Sequence, residues 1–386
     1  MNISPGVSPQ QDAYDVLCFS HLRWDFVYQR PQHLLSRFAK DRRVFVIEEP
    51  IFGDPDVWMQ ISKRDENLYI CVPHLPRDMS EVSIRYLQRT LLNNLAVDHG
   101  IRNFAAWYYT PMMLAWSDHL KPLATIYDCM DELSGFKNAP VELREREMEL
   151  FSRADLVFTG GQSLYEAKRE QHHAAYAFPS SIDKEHFSQA LSINYEMPDQ
   201  EDIPSPRVGF IGVIDERMDI GLLGEIADLK PEWNFVMIGP VVKIDEADLP
   251  RRENIHYLGG KSYDELPGYI AGWDVAMMPF ALNESTRYIS PTKTPEYLAA
   301  GRPVVSTPIH DVVRPYGEEG LVHIASTPAE FVAAIQDALE EDTTNRRSRV
   351  EVFLRDMSWD NTFGSMKQLI DEVVNKQRSK AATAVL

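Results

Sequence analysis

Three cysteines in 386 residues, Cys18, Cys71 and Cys129, are too few and too far apart for a disulfide framework, and no pair has zinc-ligand spacing. Each lies inside an apolar segment, so they read as buried, reduced thiols of a cytoplasmic protein. Long hydrophobic runs are missing as well. No stretch reaches bilayer length and the start lacks a basic-then-apolar leader, so neither insertion nor secretion is expected. Positive charge is scarce: 39 Lys and Arg face 58 Asp and Glu, a formal net charge of -19. That balance argues against general nucleic-acid binding and disfavours strong docking on anionic lipid, leaving at most a weak peripheral membrane contact through a local basic face. No G-x-G-x-x-G follows a strand candidate, which argues against a dehydrogenase. No Asp-x-Asp pair lies in a loop suited to a divalent ion, so no metal is expected.

What is present is an ordinary globular composition, 44% hydrophobic and 25% charged, in a chain long enough for two domains. Beyond a Pro-, Ser- and Gln-rich start over residues 1 to about 12, expected to be unordered, strand and helix patterns alternate. Strands are expected at 16–20, 44–48, 68–72, 104–109, 125–128 and 156–159, with helices at 30–40, 80–99, 110–120, 141–153 and 162–171. An acidic, Pro-rich stretch over 190–206 reads as an interdomain connection. A second alternation follows, with strands at 208–212, 235–238, 255–257, 275–278, 304–306 and 322–324, and helices at 219–229, 263–271, 295–300 and 328–341. Ser262 with Glu265 and Thr327 with Glu330 have capping-box spacing. A last amphipathic helix runs from 359 to about 374, and the tail over 380–386 is expected to fray. The apolar runs are near-continuous, as in parallel strands covered on both faces. The expected fold is therefore α/β: two Rossmann-like, doubly wound domains facing across a cleft.

The densest chemistry lies in Ser290-Pro291-Thr292-Lys293-Thr294-Pro295-Glu296-Tyr297-Leu298-Ala299-Ala300-Gly301, followed by Arg302-Pro303-Val304-Val305. It reads as a loop, a short helix starting near Thr294-Pro295, a stop at Gly301 and a buried strand. The Thr294 hydroxyl can cap free amides, Pro needs no hydrogen bond in a first turn, and Gly can take the left-handed residue at the end. Free amides, a helix dipole and Lys293 then converge, which attracts a phosphate or diphosphate. Glu296 can accept from a sugar diol. Taken alone, the segment can equally be a capped helix with a surface lysine.

Ligands of open parallel sheets gather beyond the carboxyl ends of the strands. Gly209-Phe210-Ile211-Gly212 ends one strand, and Arg217 can then place a bidentate guanidinium against phosphate. Gly239-Pro240 leaves backbone groups open to a flat ring, and Gly259-Gly260-Lys261 ends a third strand. In the first half, His21, Arg23 and Trp24 follow the opening strand: Trp24 can stack on a sugar, Arg23 and Arg30 can bind phosphate, and His21 can donate a hydrogen bond. Asp128 and Asp131 can orient an acceptor or stabilise positive charge on a donor sugar, or else cap the next helix.

The run over 208–305 resembles the nucleotide-sugar lobe of GT-B glycosyltransferases, in the large family of retaining bacterial enzymes. The resemblance rests on Gly-Phe-Ile-Gly with a basic residue after it, Val-Met-Ile-Gly-Pro, Asn254-Ile255-His256-Tyr257-Leu258-Gly259, Trp273-Asp274-Val275 with Met278-Pro279, and the Lys293 to Val305 motif, in that order. It implies an N-terminal acceptor-side domain over 1–200, a nucleotide-sugar domain over 201–357, and a C-terminal helix over 358–378 crossing back to the first. By resemblance, Arg217 and Lys293 hold the donor diphosphate, Glu296 the ribose, and the loop with Ser290 and Thr292 the distal phosphate. The implied catalytic group is Asp128, Asp131, His21, Arg217 and Lys293. Many relatives carry a second Glu eight residues before Glu296; here that position is Tyr288, with Glu284 and Asn283 nearby in another register. Ser180-Ser181 stands where many relatives have Asn-Gly.

The implied activity moves a hexose-like unit from a nucleoside diphosphate sugar, with uridine the family's commonest base, to a hydroxyl of a saccharide or lipid-linked saccharide. It belongs to cell-surface polysaccharide or glycolipid synthesis, with retention, without metal or a separate cofactor, in the cytoplasm or at the inner face of the membrane. The helix with Arg85, Tyr86, Arg89, Leu91 and Leu92 is the candidate membrane-facing element. A nucleotide-sugar epimerase of the same fold and a catalytically silent nucleotide-sugar-binding protein remain the alternatives, the second because of Tyr288.

Overall fold

A computed structural model describes residues 13–384. The expected unordered start over 1 to about 12 lies outside the described residues, as do residues 385 and 386 of the expected frayed tail. The first sheet contains β1 (Asp15–Ser20), β2 (Val44–Glu48), β3 (Ile51–Phe52), β4 (Trp58–Asp65), β5 (Leu68–Leu75), β6 (Phe104–Tyr108), β7 (Ala124–Cys129), β8 (Leu156–Thr159) and β9 (Ala175–Ala177). Its order is β3-β5-β2-β1-β6-β7-β8-β9, with β4 antiparallel to β5 at one edge and every other pairing parallel. The second sheet, β10 (Arg207–Ile211), β11 (Asn234–Ile238), β12 (Ile255–Gly259), β13 (Val275–Met278), β14 (Val304–Ser306) and β15 (His323–Ile324), is parallel throughout, in the order β12-β11-β10-β13-β14-β15. The central strands are buried along their length because helices cover both faces.

Strand order reverses beside β1 in the first sheet and beside β10 in the second. At such a switch point the flanking connections leave to opposite faces and open a crevice beyond the carboxyl ends. The loops after Ser20 and after Ile211 therefore floor the cleft from its two sides.

The last helix, Trp359–Ala384, crosses back to the first sheet: Trp359, Met366, Ile370 and Val374 join the core made by Val16, Phe38 and Trp107. Trp359 stacks on His33 at 4.6 Å, Tyr14 donates to Asp371 (2.7 Å), and Arg37 pairs with Asp360 (2.7 Å). The helix runs ten residues beyond the expected 374, through polar sequence on its exposed side. The 194–206 stretch packs on the second lobe. Gln200 is fully buried, accepting from Trp273 Nε1 (2.9 Å) and donating to the Tyr269 carbonyl (3.1 Å).

Three strands, β3, β4 and β9, and the helix Thr343–Phe353 were not expected. β4 is a largely exposed edge strand with mixed polar and apolar residues, and β9 is a three-residue edge strand too short to read as a separate element. The expected helix over 110–120 is a 3-10 turn, Pro111–Met113, and one turn, Leu114–Ser117. In the proposed membrane-facing helix, Glu81–Asp98, Leu91 and Leu92 are buried against the sheet, which leaves Arg85 and Tyr86 outward and removes the apolar part of that face. Among the described residues no helix is long and apolar enough to cross a membrane.

Candidate active site

The crevice holds a central cavity of about 110 Å³ and two arms of about 520 and 630 Å³, and Val213, just past β10, lines all three. Arg30, Asp131, Arg217, Ser290, Thr292 and Lys293 surround the centre. Trp24, Tyr28, Gly212, Gly239, Pro240, Lys261 and Tyr263 line the first arm. His21, Arg23, Phe136 and Lys243 line the second, together with Asp131 and Arg217.

Two glycines permit the centre to form. Gly212 (φ +152°) and Gly239 (φ +144°) adopt backbone angles closed to other residues, and a Cβ on Gly212 would collide with Cε of Lys293. The Lys293 side chain thus lies directly on the floor after β10, its ammonium 5.8 Å from the centre of the Phe210 ring. Burial in the cleft pulls its pKa below the ordinary lysine value, and Arg217 pushes the same way while Glu296 opposes. Burial also raises the Glu296 carboxyl to about 7, against the pull of Lys293 and a hydrogen bond with Thr292. Burial works against the charge of Arg217, but Asp215 outweighs it and the guanidinium stays firmly protonated. Asp215 grips it bidentately, Nε at 3.0 Å and Nη2 at 2.8 Å. Asp131 is raised by burial, with Arg217, Arg30 and Lys293 opposing.

The helix over Lys293–Ala299 starts two residues earlier than expected. Pro295 is then its third residue, where the missing amide costs no hydrogen bond. The capping expectation for Thr294 is corrected: it is fully buried and its hydroxyl points to Met278 Sδ (3.6 Å), so it caps no free amide. Gly301 (φ +79°) does end the helix, with the Arg302 amide returning to the Tyr297 carbonyl (3.0 Å).

Other expected site residues separate into two groups. Asp128 does not face the cleft: it is fully buried and clasped by Arg30 Nε and Nη2, the latter at 2.8 Å, so its catalytic assignment is corrected to a structural ion pair. Glu284 is also corrected, because its side chain is 78% exposed beside Arg287 and lines none of these cavities. Tyr288 crosses the interface instead of facing a sugar, and packs on the first lobe's aromatic core. Arg23 lines the second arm while donating to Glu48 (2.9 Å) and the Glu49 carbonyl (2.7 Å). Lys261 lines the first arm but pairs with Asp199 (2.5 Å). Trp24 is held by its amide on Glu48 (2.7 Å). Glu296 sits beside Lys293 and close enough to influence Tyr263. His21 lines the second arm; burial, then Lys243, lowers its pKa to about 4, and its Nδ1 has no partner.

Sequence reasoning missed Val213, Tyr28, Asp215, Phe136, Lys243 and Tyr263. Asp215 was legible, standing two residues before Arg217, and Tyr263 lay inside a motif read only for its cap. Tyr263 is clasped by Tyr28 (4.6 Å) and His186 (4.2 Å), and its hydroxyl has no partner. Asp54-Pro55-Asp56 turns between β3 and β4, where Asp54 accepts from Trp58 Nε1 (2.8 Å), and lines none of these cavities. Among the described residues no group of three His, Cys, Asp or Glu is placed to hold a metal ion.

Comparison with known proteins adds three findings. The family model described as Glycosyl transferases group 1 matches residues 205–341. A relative described as a putative teichuronic acid biosynthesis glycosyltransferase, TuaH of Bacillus subtilis (strain 168), is 26% identical over 277 residues, 67% of this chain and 69% of its own. Among solved structures, sucrose-phosphate synthase from Thermosynechococcus elongatus aligns with a TM-score of 0.70 at 14% identity, covering 94% of this chain and 100% of that one. A structure described as trehalose-6-phosphate from E. coli bound with UDP-2-fluoro glucose aligns at 0.68 and 11% identity, covering 92% and 99%. Likeness at such low identity establishes the architecture: two Rossmann-like domains across a cleft.

Proposed function

We propose that this chain, a GT-B glycosyltransferase of the group 1 type, moves a hexose-like unit from a nucleoside diphosphate sugar to a hydroxyl of a saccharide or lipid-linked saccharide. The observation that carries this reading is Lys293 lying on Gly212 beside Arg217, at the switch point of the second sheet. The bond to be broken releases a diphosphate whose negative charge grows in the transition state. Cations held in place before the reaction stabilise that charge without reorganising, and a partly enclosed site strengthens them.

In this reading the nucleoside occupies the first arm, its flat base against Gly239-Pro240 and its ribose toward Glu296. The diphosphate spans the centre, met by Lys293, Arg217, Ser290 and Thr292. The acceptor enters the second arm, and Asp131, which lines both centre and second arm, stands beside the positive charge that develops on the donor sugar. A neighbour bound with UDP-2-fluoro glucose favours uridine as the base. The TuaH relative favours cell-surface polysaccharide as the product. Retention of configuration follows the family resemblance, and turnover is expected to survive chelation because the two cations supply the charge.

A thermal-shift screen across UDP-, GDP- and ADP-sugars tests the donor, and Lys293→Ala should abolish the shift. An unchanged response in that variant removes Lys293 from the site. Product analysis with and without acceptors then separates transfer from epimerisation: an isomerised donor formed without any acceptor would overturn the transferase reading.

A further inference from the structure

The second arm carries charge that the donor chemistry does not use. Arg217 is occupied by Asp215, and Arg23 by Glu48. Lys137 and Lys243 differ: both are exposed at the edge of the arm, and among the described residues neither has a carboxylate within ion-pair distance. Both line the arm beside Phe136. Lys243 places its ammonium 5.2 Å from the centre of Phe136, which the Arg217 guanidinium also approaches at 5.7 Å. Lys243 does so from φ +64°, a left-handed backbone that a non-glycine residue adopts at a cost. Lys137, next to Phe136, is tied across the cleft by its amide on Glu216 Oε1 (3.0 Å). Deeper in the arm, His21 is neutral at ordinary pH and its Nδ1 is buried without a partner.

We propose that this arm selects an acceptor saccharide bearing an oxyanion, a phosphate or a carboxylate, which Lys137 and Lys243 hold while His21 meets a hydroxyl. The inference rests on the transferase reading above and names the acceptor's chemical class. On a chain of net charge -19, two unpaired ammoniums on a concave wall form a local positive field that concentrates anions there. A neutral sugar offers each lysine only a hydroxyl acceptor, whereas an oxyanion adds its own charge to the hydrogen bond and binds each more strongly.

Calorimetry on the full chain tests this with UDP, GDP and ADP all present at saturation, so that the diphosphate site is filled. Glucose 6-phosphate, glucuronate and glucose are then titrated separately, which also distinguishes phosphate from carboxylate. We expect at least one anionic sugar to bind about tenfold tighter than glucose. That preference should shrink as salt rises from about 0.05 to 0.3 M, and should vanish in the Lys137→Gln, Lys243→Gln double variant. Nucleotide affinity of the double variant should match wild type, with each single variant as a check on folding by its melting temperature. Equal binding of the three sugars, no binding of any, or a preference that survives the double substitution overturns the inference alone. Failure of all three nucleotides to bind wild type overturns the transferase reading, and this inference with it.

Discussion

Both lobes bury charged residues beside the carboxyl ends of their central parallel strands, yet they dispose of the charge in opposite ways. In the first lobe, Asp128 at the end of β7 is satisfied internally: Arg30 closes on it bidentately and sends its remaining nitrogen to the Phe178 carbonyl (2.8 Å). In the second, Lys293 is desolvated without an ion-pair partner among the described residues, and the left-handed glycine beneath it keeps the floor bare. A charge already neutralised by its own fold holds structure together; a charge left unneutralised in a cleft is available to a ligand.

The largest expected effect breaks the comparison on its structural side. Asp128→Ala would leave Arg30 buried and uncompensated, which costs about 3–5 kcal/mol. Thermal unfolding of this variant should shift down strongly, while any residual folded protein keeps its donor affinity. If Asp128→Ala melts like wild type but loses turnover, Asp128 returns to the chemistry. Lys293→Ala should do the reverse, leaving the melting temperature near wild type and lowering turnover by about 3 kcal/mol of transition-state stabilisation, two to three orders of magnitude. Steady-state kinetics together with calorimetric melting read both variants in one experiment.

The fold was legible because its signals are local and repeated. Near-continuous apolar runs marked the central strands of both sheets, with Gly or Pro directly after β10, β11 and β13, and the capping boxes at Ser262 and Thr327 formed with their Glu partners as spaced. The cleft lining was more legible in the second lobe, where Lys293, Gly212 and Gly239 belong to motifs that are contiguous in sequence, although His21, Arg23, Trp24 and Asp131 of the first lobe also line the cavities. The Asp128 assignment failed for a physical reason. Asp128 and Arg30 are 98 residues apart, and nothing in either neighbourhood announces the other. Tyr288 was misplaced likewise, since its packing partner is the core of the opposite lobe.

A pH series sharpens the contrast at intermediate size. The Glu296 carboxyl is raised from 4.5 to about 7 in the folded chain, so between those values the folded state keeps a proton that the unfolded state has lost. Stability contributed by this group is therefore present below about pH 4.5 and declines as pH rises toward 7. Donor binding has the opposite sign, because a ribose diol needs the carboxylate as acceptor. Affinity for the nucleotide should fall by about tenfold per pH unit below 7 and level off above it. Glu296→Gln should flatten both slopes, and a Gln variant that keeps the wild-type affinity profile would remove Glu296 from the nucleotide site.

The smallest effect concerns how the two lobes meet. Asp311, from the second lobe and 5% exposed, accepts from the amides of Gln162 (2.8 Å) and Ser163 (3.0 Å), which open the first-lobe helix Gln162–Lys168. Gly161 is needed there, since a Cβ would strike the Asp311 carboxylate and Ser290. The same carboxylate thus touches the first lobe while its neighbour in space, Ser290, lines the centre of the cleft, so the contact between the lobes adjoins the loop that lines that centre. Asp311→Asn keeps one acceptor and removes the charge, which should weaken these bonds by about 1 kcal/mol and open the cleft several-fold more often. Each lobe's own core is untouched, so melting should move little. Small-angle scattering should show a larger radius of gyration without donor and recovery with it, and the donor KM should rise several-fold at nearly constant kcat. A variant whose scattering and KM both match wild type would mean that Asp311 caps a helix and does nothing for closure.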